Sequence, residues 1–167
     1  VNRVRSQIIA AFNWAVDRGK MKRNPAAGVK RRKIEKRRSR VLTDDELRAV
    51  WRAADGIGGP GGPLTKALAL IAGRRDEVRC LRRTELDDNR ALWLLPASRN
   101  KSKRDHLIPL PPIMLALLEA LPRRGELVFT VNGEKPYAGQ KRLKEILDRD
   151  SGVDKWTFHD FRRTASS

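Results

Sequence analysis

The sequence predicts a mainly α protein with one small antiparallel β-sheet, an α+β fold. Two observations predict it. Apolar residues recur at helical spacing in several separate stretches along the chain. Two short apolar runs, Ala91–Pro96 and His106–Leu110, flank the basic segment Ala97–Asp105 and read as a β-hairpin. With 40% hydrophobic residues the chain has enough apolar side chains to bury a core, and its 167 residues suffice for one ordinary domain plus an appendage.

Residues 3–19 read as a helix: Val4, Ile8, Phe12 and Val16 recur every four positions, and Ile9 and Ala15 widen the stripe. Gly19 is its stop, and Asn24-Pro25 marks a turn. One helix this short cannot bury its apolar face alone, so it is expected to belong to a larger unit. Residues 30–41 lack apolar periodicity and read as an extended, basic interdomain linker. Thr43-Asp-Asp-Glu46 is a capping box opening a helix to about Ala54.

Gly56-Ile-Gly-Gly-Pro-Gly-Gly-Pro63 reads as a plain loop; it lacks the Lys-Ser/Thr ending of a phosphate-cradling loop. Leu64–Ala72 reads as a buried helix, and a second short helix, Arg75–Leu81, follows a bend near Gly73. Cys80 is expected to be a packed position on it. Leu86 is expected to begin a third strand. Pro111–Leu121 is expected to be helical with Pro in its first turn. After the apolar run Leu127-Val-Phe129, a basic amphipathic helix covers Ala138–Asp148, and Trp156–Arg163 begins another. Trp14, Trp51, Trp93 and Trp156 read as core or half-buried anchors.

The charge is uneven. The chain holds 37 Lys and Arg against 20 Asp and Glu, a net charge of +17, and residues 1–40 alone hold 14 against 2. Such an excess says little about fold and points to a polyanionic partner, most often nucleic acid. The cations of the linker, Arg31, Arg32, Lys33, Lys36, Arg37, Arg38 and Arg40, are expected to contact it, as are Arg99, Lys103 and Arg104 of the hairpin. A single cysteine excludes an internal disulfide and suits a reducing cytoplasm. No apolar run reaches membrane-spanning length, so no membrane partner is expected.

Cleaving a phosphodiester by attack at phosphorus builds negative charge on the non-bridging oxygens and needs a proton for the departing sugar oxygen. Paired guanidiniums clamp the oxygens, a Lys or His protonates the leaving group, and such chemistry needs no metal or cofactor. Arg74 or Arg75, Lys101, His159 and Arg162 supply these groups in order along the chain. Two-metal carboxylate clusters and zinc-ligand spacings are not evident.

Leu68–Leu81, the strand–basic loop–strand with Lys101 and Ile108-Pro-Leu110, and His159-Asp-Phe-Arg162 resemble the tyrosine recombinases, in particular the phage-type integrases of bacterial mobile elements. Phe12-Asn-Trp-Ala15 with Asn24-Pro25 resembles the last helix and exit of that family's core-binding domain, and Leu42-Thr-Asp-Asp-Glu46 the opening of its catalytic domain. The resemblance implies a core-binding remnant over residues 1–29, a linker over 30–41 and a catalytic domain over 42–167, truncated at both ends.

By the same resemblance, Arg74 and Arg162 would hold the scissile phosphate. Lys101 would protonate the 5′ oxygen, His159 would act as a general acid/base, and Glu77 would be structural. Arg75 competes with Arg74, and Lys103 with Lys101. The implied partners are double-stranded DNA and further copies of the protein, a tetramer on DNA in the family, within a bacterial cytoplasm and its nucleoid.

Two departures stand out. Ala72-Gly73 precedes Arg74 where the family has Thr-Gly one residue further removed, so the local bend is expected to differ. The family's second His or Trp and its nucleophilic Tyr lie downstream of the His-x-x-Arg motif, whereas the single tyrosine here, Tyr137, precedes it in a turn. A non-catalytic DNA-binding remnant is therefore an alternative. A basic RNA-binding protein is a weaker one, because aromatics for base stacking are only 5%. Removing residues 1–40 should flatten the salt dependence of nucleic-acid affinity, because most of the net charge leaves with them. Binding titrations over a range of salt check this, and an unchanged slope contradicts it.

Overall fold

The computed structural model describes residues 2–31, 39–87 and 89–167, which fall into two compact units divided between Arg38 and Ser39. Among the described residues there are seven α-helices and a three-stranded antiparallel sheet. The linker cations Arg32, Lys33, Lys36, Arg37 and Arg38 lie outside the described residues.

The first unit contains α1 (Asn2–Asp17), ended near Gly19 at φ +66°. Asn24 ties the following turn back onto the helix: its side-chain amide donates to the Ile9 carbonyl at 3.2 Å and to Asn13 Oδ1 at 2.6 Å. Trp14 departs from expectation. It is 51% exposed, with Arg18 and Lys20 over its ring, so it is a surface aromatic.

The second unit opens on α2 (Asp44–Asp55), capped as its sequence requires. Glu46 N–H donates to Thr43 Oγ1 at 3.2 Å, and Thr43 N–H donates to Glu46 Oε2 at 2.9 Å. Arg40 also donates to Glu46, and this hydrogen bond, seconded by the Thr43 N–H, lowers the Glu46 pKa. Arg40, expected to face nucleic acid, is engaged by Glu46 and by the carbonyls of Val41 and Asp154.

The glycine-rich loop is shorter than its composition suggests, because α3 (Gly61–Ile71) begins inside it. Gly61 and Gly62 are buried there. A Cβ at Gly62 would stand 2.3 Å from the Ala54 carbonyl oxygen and 2.8 Å from that of Ile57. The glycine therefore serves the close approach of α3 to the end of α2, and tertiary packing overrides its loop propensity.

The short α4 (Arg75–Arg79) stops two residues before the expected Leu81. Leu81 is fully buried, and its carbonyl accepts from Val128 N–H at 3.0 Å, which fastens the 127–129 run to this segment. A 3₁₀ turn over Arg83–Glu85 leads into β1 (Leu86–Asp87), the anticipated third strand. Next come β2 (Leu92–Leu95) and β3 (His106–Pro109), in sheet order β1-β2-β3 with Trp93 opposite Ile108 and Leu95 opposite His106. β2 alternates as a one-sided sheet strand should: Trp93 and Leu95 are buried, while Leu94 faces out, as does its partner Leu107 on β3. His106 is exposed.

The remaining helices are α5 (Pro112–Glu119), α6 (Gln140–Ser151) and α7 (Phe158–Thr164). Helix α6 starts and ends later than expected and stops at Gly152, φ +67°. Packing α2 against α3 and α6, and α3 against α7, buries one continuous core including Leu64, Leu68, Trp93, Met114, Phe129, Leu147 and Phe161.

Gly62→Ala should destabilise the second unit by about 2 kcal/mol or more, because the obstructing atoms are backbone. Thermal denaturation checks this, and an unchanged Tm contradicts it.

Candidate phosphate-binding site

Helix α3 ends at Ala72, which adopts the left-handed conformation at φ +52°, and the chain then turns through Gly73 into Arg74 and α4. A left-handed alanine is unfavourable by about 1 kcal/mol. Its carbonyl is held by Arg162 of α7, whose Nη1 donates to it at 3.2 Å. Arg162 and Arg74, 88 positions apart by number, are thereby brought to one short stretch of backbone.

Arg74 is oriented by Glu77, with Nη1 to Oε1 at 2.7 Å, and reaches Asn100 Oδ1 at 3.5 Å. Arg75 is exposed and lies 3.7 Å from Asp76. Both arginines are thus ion-paired, although Arg74 keeps 42% of its side chain exposed. Glu77 also gives its main-chain carbonyl to Arg99 Nη2 at 2.9 Å.

Arg99, expected to contact nucleic acid, is held by that carbonyl. It is also ion-paired with Glu85, which accepts Trp93 Nε1–H at 3.0 Å. Arg99 is a tie between the hairpin loop and α4. Arg104, by contrast, is exposed, and so is Lys103, held at φ +58°.

Three residues that sequence reasoning did not single out organise the site. Asn100 is 7% exposed; it donates to the Arg104 carbonyl at 2.9 Å and accepts from Ser102 N–H at 3.1 Å, closing the turn that carries Lys101. Asp105 accepts Ala97 N–H at 2.7 Å across the same loop. Asp160 is fully buried. It caps α7 by accepting Thr157 N–H at 2.8 Å and is ion-paired with Arg163 at 2.6 Å. Asp160 stood inside the His-x-x-Arg motif, and its spacing from Thr157, a capping box, was the available signal.

Arg74, Lys101 and His159 line one open cleft of 1470 Å³, together with Arg75, Lys103, Lys141 and Lys144 and the acids Asp76, Glu77 and Glu145. Lys101 and His159 are exposed and have no side-chain partner among the described residues. Cys80 also lines the cleft and is half-buried, where a packed helix position was expected. Arg162 is not part of the lining; its guanidinium is occupied by the Ala72 carbonyl, two residues before Arg74. The cationic excess and the partnerless Lys and His suit an oxyanion with a nearby proton to exchange.

Tyr137 lies elsewhere. Its hydroxyl donates to the Gly139 carbonyl at 3.4 Å, and a Cβ at Gly61 would stand 3.2 Å from it, so the ring packs against the glycine start of α3. Among the described residues no group of three or more His, Cys, Asp or Glu is placed to hold a metal ion. No helix among them is long and apolar enough to cross a membrane.

This combination of helices and small sheet is the fold of solved integrases. A dimer of lambda integrase bound to a COC′ core site superposes with a TM-score of 0.75 at 20% identity, over 98% of this chain and 63% of that one. The Tn1549 transposon integrase in complex with circular intermediate DNA gives 0.65 at 14% identity, over 98% and 63%. The integrase of mycobacterium phage Brujita gives 0.59 at 18%, over 95% and 53%. The chain thus spans less than two thirds of each of these structures. No family model matches the sequence, and no curated protein does. At these identities the likeness is one of fold.

Replacing Asp160 with Ala should cost about 2–3 kcal/mol, since the α7 cap and a hydrogen-bonded charge pair are both lost. Chemical denaturation checks this, and a loss below about 0.5 kcal/mol contradicts the role given to the buried carboxylate.

Proposed function

We propose that this chain carries most of the phosphodiester-cleaving site of a site-specific DNA recombinase of the integrase type. The observation that supports the reading is the convergence of Arg74, Lys101 and His159 on one cationic cleft, with Arg162 fastened beside Arg74. Similarity of fold to integrases solved on DNA adds to it. In this reading residues 1–29 belong to a core-binding domain, 30–41 form a basic arm on the DNA backbone, and 42–167 belong to the catalytic domain. Arg31, Lys103 and Arg104, all exposed, add backbone contacts.

Arg74 and Arg162 hold the non-bridging oxygens of the scissile phosphate, and Arg162 exchanges the Ala72 carbonyl for that phosphate. A tyrosyl oxygen attacks phosphorus and the bond to the 5′ oxygen breaks. Lys101 gives that oxygen its proton, while His159 relays a proton as general acid/base. The products are a 3′-phosphotyrosyl link and a free 5′ hydroxyl. Attack by a second strand's 5′ hydroxyl reverses the step and joins new partners. The bond energy is retained in the covalent link, so no nucleotide cofactor is consumed. Tyr137, packed on Gly61 and Gly139, is not the nucleophile. The reaction draws on a tyrosine outside these 167 residues and on self-association on DNA, as in the lambda integrase tetramer bound to a Holliday junction.

The position of Tyr137 equally favours a second reading, a DNA-binding remnant without strand cleavage. Duplex DNA should outcompete duplex RNA for this chain under either reading. In a longer form that includes the downstream tyrosine, Arg74→Ala or Arg162→Ala should lower cleavage of nicked duplex by about a hundredfold or more. Duplex affinity should fall less than about tenfold, because the remaining cations still neutralise phosphates. Cleavage that survives in both variants overturns the catalytic assignment; no cleavage by the longer form itself favours the remnant.

A further inference from the structure

The Lys101 side chain is exposed and meets no partner among the described residues, so the reach of its ammonium into the cleft is set by the backbone turn that carries it. That turn is built on Asn100, which is buried. Its Nδ2 donates to the Arg104 carbonyl at 2.9 Å, its Oδ1 accepts Ser102 N–H at 3.1 Å, and its main-chain carbonyl accepts Lys103 N–H at 3.0 Å. Its own N–H donates to the Pro96 carbonyl at 3.0 Å, which fastens the turn to the end of β2. A buried amide with its polar groups engaged is a rigid part of a fold. Lys103 is held at φ +58°, a conformation that a lysine keeps only where its surroundings impose it.

The same amide meets Arg74. Nη1 of that arginine donates to Glu77 Oε1 at 2.7 Å and to Asn100 Oδ1 at 3.5 Å. No further acceptor meets the Arg74 side chain among the described residues, so Nε and Nη2 remain for a ligand. Those two nitrogens carry parallel N–H groups along one edge of the guanidinium, the geometry that clamps two phosphate oxygens. Asn100 thus joins the two parts that a cleavage step has to bring into register, the phosphate clamp and the turn of the proton donor.

We propose that Asn100 is a positioning residue for strand cleavage, one that sets the Lys101 ammonium at the oxygen departing from the phosphate on Arg74. The inference rests on the recombinase reading above and adds a residue outside its four-residue constellation. In the step, a tyrosyl oxygen bonds to phosphorus and the bond from phosphorus to the 5′ oxygen breaks. The electron pair goes to that oxygen, which takes its proton from Lys101 Nζ. Asn100 touches none of the reacting atoms. It acts through distance: the donor has to lie within about 3 Å of the oxygen, and a flexible lysine stem reaches a fixed point reliably only from a fixed backbone.

Sulfur in place of the scissile 5′ oxygen separates this role from a merely structural one. A thiolate is a stable anion near neutral pH, so it departs without a general acid, whereas the phosphate clamp is needed whichever atom leaves. The test uses the longer form that includes the downstream tyrosine, with nicked duplexes that carry oxygen or sulfur at that position. Asn100→Ala should cleave the oxygen substrate about a hundredfold more slowly than wild type and the sulfur substrate within about threefold of it. Lys101→Ala should show the same pattern, and Arg74→Ala should be slow on both. Asn100→Ser keeps an acceptor for Ser102 N–H and should show a smaller defect, again confined to oxygen. An Asn100→Ala defect of equal size on both substrates, or no defect on oxygen, overturns the inference and leaves the recombinase reading standing. Where that variant does not fold, Asn100→Ser decides by the same criterion. A wild-type longer form that cleaves neither substrate overturns the recombinase reading itself, and a Lys101→Ala variant slow on both overturns the role given there to Lys101.

Discussion

Glu77 is the pivot of the site. Its carboxylate holds Arg74, and its main-chain carbonyl holds Arg99, which belongs to the hairpin loop carrying Lys101. One residue of a five-residue helix thus couples two elements that the chain would otherwise leave independent. Its side chain is only 10% exposed, so the pairing with Arg74 is partly shielded from water. The rest of the cleft follows. Arg99 ties the loop to α4, and the neighbouring Asn100 meets Arg74 there. The Glu85–Trp93 hydrogen bond then anchors Arg99's other partner to the sheet.

The α7 part of the site depends on a buried carboxylate. Asp160 caps α7 and pairs with Arg163, which fixes the helix that carries His159 toward the cleft lining and Arg162 toward the Ala72 carbonyl. That contact meets the backbone where α3 gives way to the Arg74 segment, at a residue in a left-handed conformation. Arg162 is therefore bound to protein where a phosphate is proposed to bind. A guanidinium that exchanges a carbonyl oxygen for a phosphate oxygen keeps a hydrogen bond throughout and gains a charged partner.

Local patterns were legible in the sequence wherever the physics is local. The Thr43–Glu46 capping box, the hairpin around Lys101 and the short helix after Gly73 rest on contacts a few residues apart. The loop read over Gly56–Pro63 failed at Gly61 and Gly62, because a glycine's value there is its missing Cβ against the end of α2. Arg99 and Arg40 were read as cations for a polyanion, since composition reports charge and not partners. Arg99 meets Glu77 and Glu85, and Arg40 meets Glu46 together with the distant Asp154 carbonyl. Asn100 carried no sequence signal, and Trp156 was legible only as a core or half-buried anchor. The significance of Asn100 is its set of hydrogen-bond partners, which exists only once the chain has folded.

The most direct test of the account is a crystal structure of this chain with a short DNA duplex, read for the position of the backbone phosphates. The account predicts a phosphate in contact with the Arg74 guanidinium, within reach of Lys101 and His159, with Arg162 transferred from the Ala72 carbonyl to a phosphate oxygen. A duplex that lies on another face, with Arg162 still on Ala72 and the cleft empty, would contradict it.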